Sequence, residues 1–170
     1  MRYTYIAGHW YPRRMSPSTR LLSIRELLGR AELYEALATL NSAVPHRFTA
    51  AYRLTDGVFH NVAIVDELGE ITPDHLLSVP MEHSFCQFVM RDNGVDITNS
   101  ADDRRLDGHP YQGVMISYSG VPIMDANLEI VGTLCHFDTE RHRLAADEYE
   151  LLWQVARVIQ PSLLNAVTVG

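Results

Sequence analysis

The run from Phe48 to Val65 constrains the fold most. Phe48, Ala50, Tyr52 and Leu54 alternate, Thr55-Asp56-Gly57 turns the chain, and Val58 to Val65 is strand-like again. Strand side chains alternate between two faces, and Asp-Gly between two such runs marks a hairpin. An isolated hairpin is marginal in water, so its apolar face needs cover. Helical stripes at the two ends of the chain supply it. From Ser18, Leu21, Ile24, Leu28 and Ala31 recur at helical spacing, followed by Leu33, Leu37, Leu40 and Val44. Gly29 is a candidate kink between the two sets, and Pro45 is the stop. From about Ala146, Tyr149, Leu152, Ala156, Ile159 and Leu163 form a second stripe, which Leu151, Val155 and Val158 widen. Pro161 should bend or end that helix.

Between these ends the pattern predicts a short helix over about Ser84 to Arg91, stopped by Asn93-Gly94, and a short strand over Val95 to Thr98. Asn99 to Gln112 reads as a long polar loop. Two more strands, Ile116 to Met124 and Glu129 to Phe137, are joined at Asp125-Ala126-Asn127. The stretch 66–81 is ambiguous, broken by Pro73 and Pro80. The order gives an α+β fold: one mostly antiparallel sheet with helices packed on a face. At 170 residues and 46% hydrophobic composition, one domain with a real core is the expectation. Its division is an irregular tail over 1–17, one domain over 18–165 with its terminal helices, and a C-terminal tail over 166–170.

Composition removes several function classes. The formal net charge is −7, from 21 acidic and 14 basic residues, so no broad nucleic-acid surface is expected. No apolar run spans a membrane, and Met1 to Met15 lacks the apolar core of a signal peptide. Cytoplasmic residence is the default expectation. Two cysteines, Cys86 and Cys135, make no disulfide scaffold.

Three motifs stand in fixed order. Glu82-His83-Ser84-Phe85-Cys86-Gln87-Phe88-Val89 opens the short helix. Asn99-Ser100-Ala101-Asp102-Asp103-Arg104-Arg105-Leu106-Asp107-Gly108-His109-Pro110 fills the long loop. Tyr118-Ser119-Gly120-Val121-Pro122-Ile123 is followed by Val131-Gly132-Thr133-Leu134-Cys135-His136-Phe137-Asp138. Over roughly Leu33 to Leu164 this series resembles the GAF domain of bacterial sensor proteins. It departs from the usual pattern at Arg104 (proline is usual), His109 (asparagine) and Ser119 (alanine). The resemblance implies a GAF-like central antiparallel sheet, N- and C-terminal helices on one face, and a short helix plus long loop over a ligand pocket. It also implies terminal helices that pair between subunits. Members bind cyclic nucleotides, bilins, haem, small anions or metabolites, and some only dimerise, so the fold names no ligand and no cofactor.

Alternation and motif position together put Phe48, Tyr52, His83, Cys86, Tyr118, Cys135 and Phe137 around one cavity. Ser84, as a candidate N-cap, adds a polar group at the helix start. Cys86 in the first helical turn is a candidate reactive thiol; the plainer reading of both cysteines is small apolar filler. Alternation sets Cys135 and Phe137 on one strand face and His136 on the other, which argues against covalent bilin at Cys135-His136. His83 and Cys86 share a helical face, but no third ligand stands at a zinc spacing, so no metal is expected. Asp102, Asp103 and Asp107 read as ion-paired turn residues beside Arg104 and Arg105. Free methionine-R-sulfoxide reductases, a GAF-type enzyme class, use several clustered cysteines whose spacing this chain does not match, so no enzyme is expected.

The leading reading is a small-molecule-binding regulatory module that acts through a separate signalling protein. No kinase, cyclase or DNA-binding motif is read in the chain, so the output belongs to a partner unless the chain is a piece of a longer protein. The alternatives are a ligand-free dimerisation module and a redox enzyme using Cys86. The width of the terminal apolar stripes predicts a homodimer through a four-helix bundle.

Overall fold

The computed structural model describes residues 3–6, 9–12, 15–70 and 74–166. Two short strands, β1 (Tyr3–Ile6) and β2 (His9–Pro12), pair antiparallel, so the stretch expected to be irregular contains a hairpin. Of the C-terminal tail, residues 167–170 lie outside the described residues. Helix α1 (Pro17–Gly29) begins one residue before the sequence pattern indicates. Ser16 caps it by accepting the Thr19 amide at 3.2 Å, and Pro17 occupies a first-turn position where a missing N–H costs nothing.

Gly29 does not kink a continuous helix. The chain breaks after it, at Ala31, which takes a left-handed φ of 59°; the Glu32 amide closes on the Leu27 carbonyl at 2.9 Å, and α2 (Leu33–Asn41) starts afresh. The main sheet comprises β3 (Phe48–Thr55), β4 (Val58–Asp66), β5 (Ser78–Pro80), β6 (Val95–Ile97), β7 (Ser117–Met124) and β8 (Ile130–Asp138). Its order is β5-β4-β3-β8-β7-β6, with every neighbouring pair antiparallel. The short helix is α3 (Cys86–Asp92), and the long final helix is α4 (Ala146–Asn165). Pro161 does not end α4, which continues to Asn165. It and Arg157, whose carbonyl loses its partner, are both exposed, so water can take that bond.

Each face of the sheet has its own core. On one, α1, α2 and α4 cover Ala51, Val121, Ile123 and Leu134. Of the α4 residues read as surplus apolar surface, Leu151, Leu152, Val155, Ala156 and Ile159 are buried within the chain, and Tyr149 and Val158 are half-buried. Burial within the chain accounts for most of the α4 stripe, while Leu22 of α1 and Tyr34 of α2 stay exposed at 63% and 53%. No helix among the described residues is long and apolar enough to cross a membrane.

A polar seam runs through the helix-side core. Arg20 of α1 is 1% exposed; it pairs with Glu148 of α4 and donates to the Leu40 carbonyl of α2 at 3.2 Å. Asn41 donates to Thr49 Oγ1 at 2.8 Å, which leaves the Thr49 hydroxyl proton for His136 Nδ1 at 2.7 Å. His46 stacks on His136 with ring centroids 5.9 Å apart and meets His142 edge-on; His142 in turn reaches Asp138 at 3.1 Å. Both ring nitrogens of His46 and Nε2 of His136 have no partner among the described residues. Burial, then neighbouring His142, lowers His46 to about 4 against a weaker opposing pull from Asp138. Burial, then His46 and Arg20, lowers His136 to about 3.

Two outcomes follow for stability. The unfolded chain takes up protons on these histidines near pH 6.5, while the folded chain refuses them until pH 4 and below. Stability is thus full above pH 6.5 and falls as pH drops toward 4, by at most about 1.4 kcal/mol per pH unit for each histidine. Denaturant titrations at stepped pH should show this slope, and His46→Phe should reduce it; an unchanged slope would exclude His46 as its source. Gly132 lies where β8 approaches β3 so closely that a Cβ would stand 2.1 Å from the Tyr52 carbonyl oxygen. Gly132→Ala is expected to cost about 3 kcal/mol or more, since backbone must move to admit it. Chemical unfolding measures this, and a loss below about 1 kcal/mol would contradict the packing described.

Candidate functional site

The other sheet face supports the site. Phe48, Ala50 and Tyr52 of β3 and Thr133, Cys135 and Phe137 of β8 pair directly across the centre of the sheet as Phe48 with Phe137, Ala50 with Cys135, and Tyr52 with Thr133. The Phe48 and Phe137 rings stack at 5.0 Å, and the Arg47 guanidinium lies 4.7 Å from the Phe48 ring centre. Helix α3 lies over β7 and β8 and brings Cys86, Phe88 and Val89 into this second core.

Gly120 makes that approach possible. A Cβ there would stand 2.6 Å from the Tyr118 ring and 2.8 Å from Val89. With only hydrogen at Gly120, the Tyr118 ring fits between β7 and α3, its hydroxyl 3.2 Å from Cys86 Sγ. Phe85 meets the Tyr118 ring edge-on at 5.7 Å. Of the family departures, His109 packs on Phe85 at 4.8 Å and accepts the Tyr111 amide at 3.1 Å, which fastens the long loop over α3. Ser119 faces away and donates to Asp96 at 2.6 Å.

Between the sheet, α3 and the loops is a cavity of about 330 Å³. All eight residues singled out from the sequence lie on its wall: Phe48, Tyr52 and Phe137 as aromatic surface, Tyr118, Cys86 and Cys135 toward the floor, His83 and Ser84 on the α3 side. Ser84 is not the N-cap of α3, a position held by Phe85. Its hydroxyl instead accepts the Cys86 amide at 3.1 Å, and a 3-10 turn, Met81–His83, precedes it. The loop from Asn99 contributes only its end to the roof, through Tyr111, and the following Val114 and Met115 complete that side. The earlier part is two 3-10 turns, Ser100–Asp102 and Arg104–Leu106, held by Ser100 Oγ to the Met115 carbonyl at 2.6 Å and by the Arg105 pair with Asp103.

Sequence reasoning missed Arg47 and Glu70 at the wall, and Thr133 beneath it. Arg47 grips Asp66 through Nε at 2.7 Å and Nη2 at 2.8 Å and also reaches Glu70. Arg47 first, opposed by partial burial, holds the Asp66 carboxyl below its ordinary range. These charges come together only when β3 pairs with β4, so local spacing carries no signal for them. Thr133 was legible: it shares strand parity with Cys135 and Phe137. Its hydroxyl donates to Cys86 Sγ at 3.1 Å.

The two thiols have opposite environments. Burial pushes Cys86 up, but hydrogen bonding from Cys135, Ser84, Thr133 and Tyr118 outweighs it and brings the thiol down to about 6. Burial, and then Cys86 itself, pushes Cys135 well up. A negative charge on the pair therefore rests on Cys86. Among the described residues no three His, Cys, Asp or Glu side chains are placed to hold a metal ion. Gly120→Ala is expected to displace the Tyr118 ring, cost about 1–3 kcal/mol, and slow alkylation of Cys86 at neutral pH as the thiolate loses a partner. Unfolding and iodoacetamide kinetics on one preparation check both; unchanged alkylation would show that Tyr118 does not tune Cys86.

No protein-family model matches the sequence, and no curated protein does. Solved structures do. The GAF domain of an Acinetobacter phosphoenolpyruvate-protein phosphotransferase superposes with a TM-score of 0.70 at 14% identity, over 88% of this chain and 95% of that one. A type II free methionine-R-sulfoxide reductase from Thermoplasma acidophilum gives 0.65 at 16% identity, over 85% and 98%. The free methionine-R-sulfoxide reductase of Neisseria meningitidis, solved with its substrate, gives 0.68 at 13% identity, over 87% and 88%. The chain has the GAF fold, and at these identities the likeness is one of fold. The expectation that the chain is no enzyme does not stand, because reductases share this architecture over most of its length.

Proposed function

We propose that this GAF-fold chain is a small-molecule-binding regulatory module whose ligand occupies the cavity over β3 and β8. One observation carries the reading: about 330 Å³ of space kept open within an otherwise close-packed aromatic core. Protein interiors normally fill such space, and ligand sites of roughly 300–1,000 Å³ combine apolar walls with a few placed polar groups. Phe48, Tyr52 and Phe137 would contact a flat or apolar ligand body. Tyr118, Cys86 and Ser84 offer hydroxyl and thiol groups at one end, and His83 stands at the rim. The Arg47 charge is already engaged by Asp66 and Glu70, which favours a ligand without a strong anionic group.

A signal to a partner protein would run through the same strands. β3 and β8 line the cavity with every second residue and use the residues between, Thr49, Ala51, Leu134 and His136, to touch the helix-side core. A ligand that shifts either strand also shifts the packing of α1, α2 and α4.

Native mass spectrometry of freshly purified protein is expected to report a non-covalent mass. A thermal-shift screen of apolar heterocycles should find ligands that raise the melting temperature. Met115→Trp, which inserts bulk from the roof, should weaken them about tenfold, equivalent to roughly 1.4 kcal/mol. A protein that carries no mass and finds no stabilising compound, or ligands indifferent to Met115→Trp, would refute the reading.

A further inference from the structure

At one end of the cavity, carboxylates outnumber the cation they surround. Asp66 holds the Arg47 guanidinium through Nε at 2.7 Å and Nη2 at 2.8 Å, and Glu70 reaches it as well. A third carboxylate, Asp138, borders the same end, where its Oδ2 accepts the Arg47 amide at 2.8 Å. Three carboxylates thus face one guanidinium. His142, 3.1 Å from Asp138, offsets a further charge only when protonated. The carboxylates differ in freedom. The Asp66 side chain is 6% exposed and grips Arg47 with both oxygens, whereas Glu70 is 64% exposed. Glu70 can turn to a guest while Asp66 keeps Arg47 in place.

Aromatic rings adjoin this charge. Phe48 and Phe137 stack at 5.0 Å, each next in sequence to a member of the cluster, and Tyr52 and Tyr111 add rings to the wall. The resident cation already uses both features: Arg47 lies 4.7 Å from the Phe48 ring centre and among carboxylates. Ring faces and carboxylates together are what an organic cation binds. An anionic head group would meet the surplus carboxylates with Arg47 already engaged, and a neutral one would leave the surplus as it is. The net charge of −7 on the whole chain draws cations in the same sense.

We propose that the cavity selects an organic ammonium ion with an aromatic body, the body against Phe48, Tyr52 and Phe137 and the ammonium beside Glu70, and that it disfavours an amine that also carries a carboxylate. The proposal rests on the reading that the cavity holds a small molecule, and it names the charge class of that molecule.

Four probes share one body and differ in the head: phenethylamine, 2-phenylethanol, 3-phenylpropionate and phenylalanine. Each is titrated calorimetrically into the full chain at about pH 8, above the ordinary imidazole range and below that of an alkylamine. Phenethylamine should bind about tenfold tighter than the alcohol, and the carboxylate and the amino acid should both bind more weakly than the amine. Added salt should weaken phenethylamine and leave the alcohol unchanged. Glu70→Gln should weaken phenethylamine about threefold or more and spare the alcohol, since only the charge is removed. Met115→Trp should weaken both, which places them in the cavity. Far-ultraviolet circular dichroism confirms that each variant is folded. An alcohol, carboxylate or amino acid that binds as tightly as the amine, or an amine indifferent to Glu70→Gln, would overturn this proposal and leave the ligand-binding reading standing. If no probe binds while native mass spectrometry reports a bound mass, this proposal alone falls; if no probe binds and no mass is found, both fall.

Discussion

The antiparallel register between β3 and β8 is the constraint from which the rest of the molecule follows. These strands lie at the centre of the six-stranded sheet, buried on both faces. In one register they align Phe48, Ala50 and Tyr52 with Phe137, Cys135 and Thr133 on the cavity side, and Thr49 and Ala51 with His136 and Leu134 on the helix side. A slip of one residue would exchange the faces and drive His136 into the aromatic cavity. Gly132 guards that register, because only a residue without Cβ tolerates the Tyr52 carbonyl at this distance.

The two faces solve different problems. On the helix side, apolar packing is interrupted by a seam of buried polar groups that touches α1, α2, α4, β3 and β8 together. A buried ion pair such as Arg20–Glu148 adds little net stability once desolvation is counted, but loss of one partner is costly. Its contribution is to fix how three helices sit on one sheet. On the cavity side, aromatic rings surround open volume, and polarity gathers around one sulfur. The same strands serve both faces, so an event at the cavity floor has a short mechanical path to the terminal helices.

The distribution of charge separates the structural from the reactive groups. Arg47, Asp66 and Glu70 satisfy one another at the cavity wall, and Arg105 with Asp103 closes a turn. Neither set offers free positive charge to a ligand. The rest of the cavity wall carries rings, hydroxyls, two thiols of opposite character, the imidazoles of His75 and His83, and the Asp138 carboxylate, which accepts the Arg47 amide. The GAF domain of a phosphotransferase and free methionine-R-sulfoxide reductases both appear among the structural matches, which fits a scaffold whose use is decided by the few groups lining its pocket.

Much of this was legible in the sequence, because it depends on local periodicity. Alternation set Phe48 and Tyr52 with Cys135 and Phe137 on the cavity face and His136 on the other, as the structure has them, and Asp56-Gly57 and Asp125-Ala126-Asn127 marked the turns. What failed, or was invisible, depends on tertiary context. Ala31 rather than Gly29 breaks the first helix, since the left-handed turn is held by the packing of α1 against α2. Pro161 sits inside α4 because the bond it breaks faces water. Most of the apolar width of α4 is taken up once α1, α2 and the sheet close around it. Arg47, Asp66 and Glu70 meet only after β3 and β4 pair. The sequence alone determined the order of the four long strands and the helical segments that flank them, and which strand residues share a face, because those follow from bond geometry. The tertiary structure decided which polar atoms surround Cys86, because that depends on α3 coming down onto β7 where Gly120 lets Tyr118 lie between them.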